Sequence, residues 1–99
     1  MEVKIQALHF NATEQLQTFV EKKCAKLQRV SEDIVRVEVV LKVVKPETAM
    51  NKQAQITASV PGNDVIAEKT CDTFEQAVDE CLDALKGQLI KLKEKSRQK

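Results

Sequence analysis

The chain has 99 residues, room for one domain spanning 1–99 around a single core. Hydrophobic residues make up 42% of it, which excludes a disordered composition, and no apolar run approaches the roughly 18 residues of a membrane span. Lys and Arg number 16 against 15 Asp and Glu, so the net charge of +1 singles out no strongly charged partner.

Val3, Ile5 and Ala7 alternate with Lys4 and Gln6, which predicts a first strand over 2–8 and leaves no signal-peptide pattern. A cytoplasmic protein is expected. His9 falls at the strand-to-loop junction, where a surface position is expected. Thr13 is a helix cap, with Glu14 beside the positive helix end. Leu16, Phe19, Val20, Cys24 and Leu27 then mark one face of a helix over 14–29. Residues 34–45 are rich in β-branched types, with Val35, Val37, Val39, Leu41 and Val43 on one side and Arg36, Glu38 and Lys42 on the other. That is a long, half-buried strand. Pro46 ends it, and a loop over 46–51 follows. Ala54, Ile56, Ala58 and Val60 alternate with Gln53, Gln55, Thr57 and Ser59 in another strand. Pro61-Gly62-Asn63-Asp64 is a turn signal, so 65–71 completes a hairpin. Thr73 and Gln76 have the spacing of a capping box. Phe74, Ala77, Val78, Cys81, Leu82, Leu85, Leu89 and Leu92 carry the stripe of a second helix over 74–94.

The expected fold class is α+β, ordered β-α-β-β-β-α, a four-stranded sheet with two helices packed on one face. Arg36, Lys42, Gln53, Gln55 and Thr57 then cover a wet opposite face. Three cysteines and one His lack metal-ligand spacing, and their odd count offers no disulfide framework. Cys24, Cys71 and Cys81 read as core residues. With no Gly-rich phosphate loop and no nucleophile–base pair, neither an enzyme nor a cofactor is expected.

The charge is sorted along the chain. From Glu68 to Asp83 six acids accompany one base, and from Lys86 to Lys99 six bases accompany one acid. An acidic first half suits the helix dipole; its other reading is orientation, since acid repels phosphate. Lys22, Lys26 and Arg29 recur at i, i+4 and i+7 with Lys23 beside them, and Lys91, Lys93 and Lys95 follow Lys86 on the second helix. Rows of cations on rigid helices suit a phosphate backbone. Phe10, Phe19 and Phe74 are the only aromatics, so no platform for stacking bases is expected.

Four segments together resemble the bacterial ribosome hibernation-promoting factors, which include the ribosome-associated inhibitor protein Y. They are FVEKKCAKLQR (Phe19 to Arg29), VEVVLKV (Val37 to Val43), ITASVPGNDVIAE (Ile56 to Glu68) and the Asp, Asp-x-Leu, Gln-Leu and alternating lysines of Ala77 to Lys95. The resemblance covers nearly the whole chain and implies the same β-α-β-β-β-α fold. It implies binding to the small ribosomal subunit, in the channel for mRNA and tRNA, with translation inhibited in stationary phase or stress. The family's RNA-backbone contacts carry over to Lys23, Lys26, Arg29, Lys91, Lys93 and Lys95. Lys22 and Lys86 are added by the charge pattern. Ala84 and Gly87 stand where the family often has Lys and Arg, and Glu75 where it often has an aromatic. Gly87 also costs about 1 kcal/mol of helix stability relative to Ala. The chain ends just past the second helix, as in short family members, which act with a second factor where ribosome dimers form. No membrane or small-molecule substrate is expected as a partner. A general double-stranded RNA-binding module and a protein–protein adaptor using the acidic helix half remain as other readings.

Overall fold

The structure, a computed structural model, describes residues 2–8, 10–44 and 50–97, with side chains through Glu94. His9, Pro46 and most of the expected 46–51 loop lie outside the described residues. The elements are β1 (Glu2–Leu8), α1 (Glu14–Ala25), α2 (Leu27–Val30), β2 (Arg36–Val43), β3 (Lys52–Val60), β4 (Asn63–Cys71) and α3 (Phe74–Arg97). The sheet order is β1-β2-β3-β4, with β1 parallel to β2 and the other pairs antiparallel. A parallel pair cannot be joined by a tight turn, and the helical crossover of α1 and α2 makes the connection.

Register explains the two faces. Val3, Val37, Ala58 and Val65 form one row across the sheet, and Ile5, Val39, Ile56 and Ala67 the next. These rows lie beneath the helices, where Val37, Val39, Ile56 and Ala58 are almost wholly buried. Residues one step along point the other way. Arg36 is exposed and Lys42, Gln53, Gln55 and Thr57 are half-buried on the uncovered face. Leu16, Val20, Cys24 and Leu27 close the core from the first helical segment; Ala77, Val78, Cys81, Leu82, Leu85 and Leu89 close it from α3. Phe74 also stacks on Phe10, with ring centroids 4.5 Å apart.

Four local features differ from the sequence expectation. The helix expected over 14–29 is broken at Lys26. There the N–H reaches Lys23 O at 3.2 Å, and Arg29 N–H reaches Lys26 O at 3.2 Å, so the ladder tightens by one residue between α1 and α2. The long strand is shorter than 34–45, and Val35 is 62% exposed rather than inward. Ile34 is buried in its place, because the pleat that alternates side chains begins only at Arg36. The hairpin turn is only Pro61-Gly62, since Val60 already pairs with Asn63. Gly62 has φ +78°, the left-handed position that follows Pro in a type II turn. Finally, Thr73 Oγ1 accepts from Gln76 N–H at 3.1 Å, but the Gln76 amide turns to Glu80 Oε2 at 3.2 Å. The cap forms without its reciprocal arm.

α3 has 24 residues, about 36 Å at 1.5 Å per residue, in a molecule whose long axis is 50 Å. Its last described turns carry exposed Ile90, Lys91, Lys93 and Glu94.

Candidate nucleic-acid interface

Helix periodicity divides the basic residues of α3. At about 100° per residue, Asp79, Asp83, Lys86, Ile90 and Lys93 fall on one flank, while Lys91 and Lys95 fall on the opposite one. Contacts identify both flanks. Asp79, Leu82, Asp83 and Lys86 face Lys23 and Lys26 across a groove of about 290 Å³. On the other side the Gln88 amide donates to Ile66 O of the β4 edge at 3.0 Å. The alternating lysines therefore do not form a single row.

The groove brings together three of the eight expected contact residues: Lys23, Lys26 and Lys86. Lys23 is the most constrained. Its Nζ lies 3.3 Å from Asp79 Oδ1 and 5.5 Å from the centre of the Phe19 ring. Both partners hold the ammonium over the groove. Lys26 is exposed and Lys86 half-buried. Lys22 sits on the outer side of α1, beside Glu14, Gln15, Thr18 and Phe19. Arg29 is exposed on α2. Lys93 lies farther along α3, at a cleft of about 310 Å³ with Ser31, Asp33, Leu89 and the Pro61-Gly62 turn. Lys91 is exposed on the far flank, and the Lys95 side chain lies outside the described residues.

Sequence reading missed the acid in this groove. The sequence offers the helix dipole or a phosphate-repelling, orienting role for Asp79 and Asp83, but not their place opposite Lys23 and Lys26: both line the groove, and Asp79 is ion-paired across it. The signal was present: Asp79, Asp83 and Lys86 are spaced i, i+4 and i+7, hence on one flank.

The thiols are part of the packing. Burial pushes Cys24 up to about 12 and Cys81 up to about 11. Cys71 is also pushed up to about 11, by burial first and then by its 3.1 Å hydrogen bond to Glu80. All three are protonated at neutral pH and poor nucleophiles. Among the described residues, no group of three or more His, Cys, Asp and Glu is placed to hold a metal ion, and no helix is long and apolar enough to cross a membrane.

A profile of the family described as Sigma 54 modulation protein / S30EA ribosomal protein matches residues 3–97. The chain belongs to that family. Within the S30EA family it is similar to the ribosome hibernation promoting factor of Escherichia coli (strain K12), at 34% identity over 98 residues and 99% of both chains. It is also similar to the ribosome hibernation promoting factor of Pseudomonas putida, at 31% identity over 97 residues, 98% of this chain and 91% of that one. The ribosomal subunit interface protein of Coxiella burnetii has the same fold, with a TM-score of 0.84 at 22% identity over 94% of this chain and 98% of that one. The N-terminal domain of Thermus thermophilus protein Y superposes with a TM-score of 0.80 at 26% identity, covering 93% of this chain and 99% of that domain.

Proposed function

We propose that this chain is a ribosome hibernation factor whose residues 1–99 act as one ribosome-binding domain. It binds the small ribosomal subunit in the mRNA and tRNA channel and inhibits translation in stationary phase or stress, within the cytoplasm. The observation that carries the reading is the groove between α1 and α3, where Lys23, Lys26 and Lys86 stand on rigid, packed helices. Ammonium groups fixed in this way suit phosphates of ribosomal RNA, because each contact releases condensed counterions. The near full-length similarity to two ribosome hibernation promoting factors supports the partner. Lys22, Arg29, Lys91, Lys93 and Lys95 are the further contacts proposed, reached by RNA that extends beyond the groove. The function is occupancy of a channel and calls on no catalytic group. Where ribosome dimers form, a second factor would act beside this chain.

Co-sedimentation with purified ribosomes tests the reading. Binding to the small subunit at low salt is expected to weaken steeply as salt is raised from about 50 to 200 mM. A Lys23→Glu/Lys26→Glu/Lys86→Glu variant is expected to lose most of it at about 0.1 M salt, while keeping its circular dichroism spectrum. Binding by that variant equal to the parent's would exclude the groove; no parent binding at any salt would exclude the ribosome.

A further inference from the structure

Two acids inside a basic groove call for an explanation that the helix dipole does not give. The positive end of the dipole extends only over the first turn. Asp79 and Asp83 lie in the second and third turns of a helix that starts at Phe74. Both line the groove, and Asp79 holds Lys23 Nζ at 3.3 Å. The groove is graded. Asp79 and Asp83 precede Lys86 on α3, and the chain from Lys23 through Lys26 to Ser31 and Asp33 runs beside Asp79 through Lys93 in the same direction. An approaching phosphate thus meets the ion-paired Asp79 at the Lys23 end, Asp83 one turn on, and the Lys86 cation farthest along α3.

We propose that Asp79 and Asp83 are specificity determinants: a built-in anionic competitor that withholds Lys23 from RNA in general. Phosphate must displace Asp79 to reach Lys23, and its own charge is repelled as it does so. A plain RNA duplex, which offers an even ladder of phosphates and no compensating contacts, gains little from the groove. A ribosomal site that engages Lys26 and Lys86 first, with the protein in one orientation, supplies the local field needed to release Lys23. Specificity arises from the contact withheld as much as from the contacts made. This rests on the ribosome reading above, but its prediction for duplex RNA is separate from it.

The test measures the affinity of the full chain for a plain RNA duplex and for ribosomes, each as a function of salt. The variants are Asp79→Asn/Asp83→Asn and, as a control for net charge, Asp64→Asn/Glu68→Gln on the uncovered sheet face. Asp79→Asn/Asp83→Asn is expected to bind the duplex roughly three- to tenfold more tightly. Its slope of log K against log salt should steepen by about one, the freed lysine gaining a phosphate. The ratio of ribosome to duplex affinity is expected to fall. Asp64→Asn/Glu68→Gln, which changes the net charge by the same amount, should leave the duplex affinity within about twofold of the parent. Unchanged or weaker duplex binding by Asp79→Asn/Asp83→Asn would overturn the proposal, and so would an equal gain in the Asp64→Asn/Glu68→Gln control. Absence of ribosome binding by every variant, with the duplex result as expected, would instead remove the ribosome reading and leave the competitor role standing.

Discussion

Cys24, Cys71 and Cys81 show how a sequence pattern becomes an energetic statement. Periodicity alone put Cys24 and Cys81 on buried helix faces, and all three are buried. Burial is the leading cause that raises each thiol above its ordinary value of 9.0, to about 12, 11 and 11. A raised folded pKa means that the unfolded chain releases the proton first. The stabilisation is complete below about pH 9 and is lost as pH rises through the folded values. Urea unfolding is therefore expected to show stability declining above pH 9, by at most about 1.4 kcal/mol per pH unit for each thiol. Cys24→Ala should lower stability at neutral pH yet flatten the alkaline decline; an unchanged slope would show that other groups govern it. Val35 marks where such legibility stops. Its alternation with Val37 was sound as a pattern, but a strand's first residue is fixed by pairing with neighbours that sequence spacing does not reveal.

At the scale of elements, the order of strands and helices was legible because apolar period changes cleanly from two to three or four. The break at Lys26 was not. It turns on a hydrogen bond shifting from the fourth to the third residue, and the spacing of Cys24 and Leu27 suits both geometries. On α3 the run of alternating lysines looked like one patch, whereas residues two apart on a helix lie on nearly opposite sides. Gly87 is an element-scale weakness. It is exposed in the helix interior, and a Cβ added there meets nothing within 4 Å. Gly87→Ala is thus expected to stabilise the fold by about 1 kcal/mol through helix propensity alone. In a thermal melt this corresponds to a rise of roughly 4–8 °C for a domain of this size. No rise would mean that α3 is not the element whose unfolding limits stability.

At the scale of the whole molecule, the net charge of +1 misleads because the acid-rich start of α3 and its base-rich end are far apart. The long axis measures 50 Å, whereas the screening length is about 10 Å at 0.1 M salt. Acids near the start of α3 therefore do not cancel bases near its end, and a binding partner meets local fields rather than the total. The consequence is a comparison between flanks. Lys86→Glu and Lys91→Glu change net charge identically, and both residues lie on α3 within two turns. Lys86 faces the groove with Lys23 and Lys26, while Lys91 lies on the opposite flank, the one that Gln88 joins to β4. If binding depended on overall charge, the two variants would weaken ribosome association equally. A rigid groove predicts otherwise: reversing Lys86 removes a contact and places a third carboxylate beside Asp79 and Asp83. Lys86→Glu is expected to weaken co-sedimentation at about 0.1 M salt by at least roughly tenfold, and Lys91→Glu by a few-fold. Equal losses would place the decisive surface along all of α3; a larger loss from Lys91→Glu would move it to the outer flank, where Ala84 and Gly87 stand in place of the cations expected there.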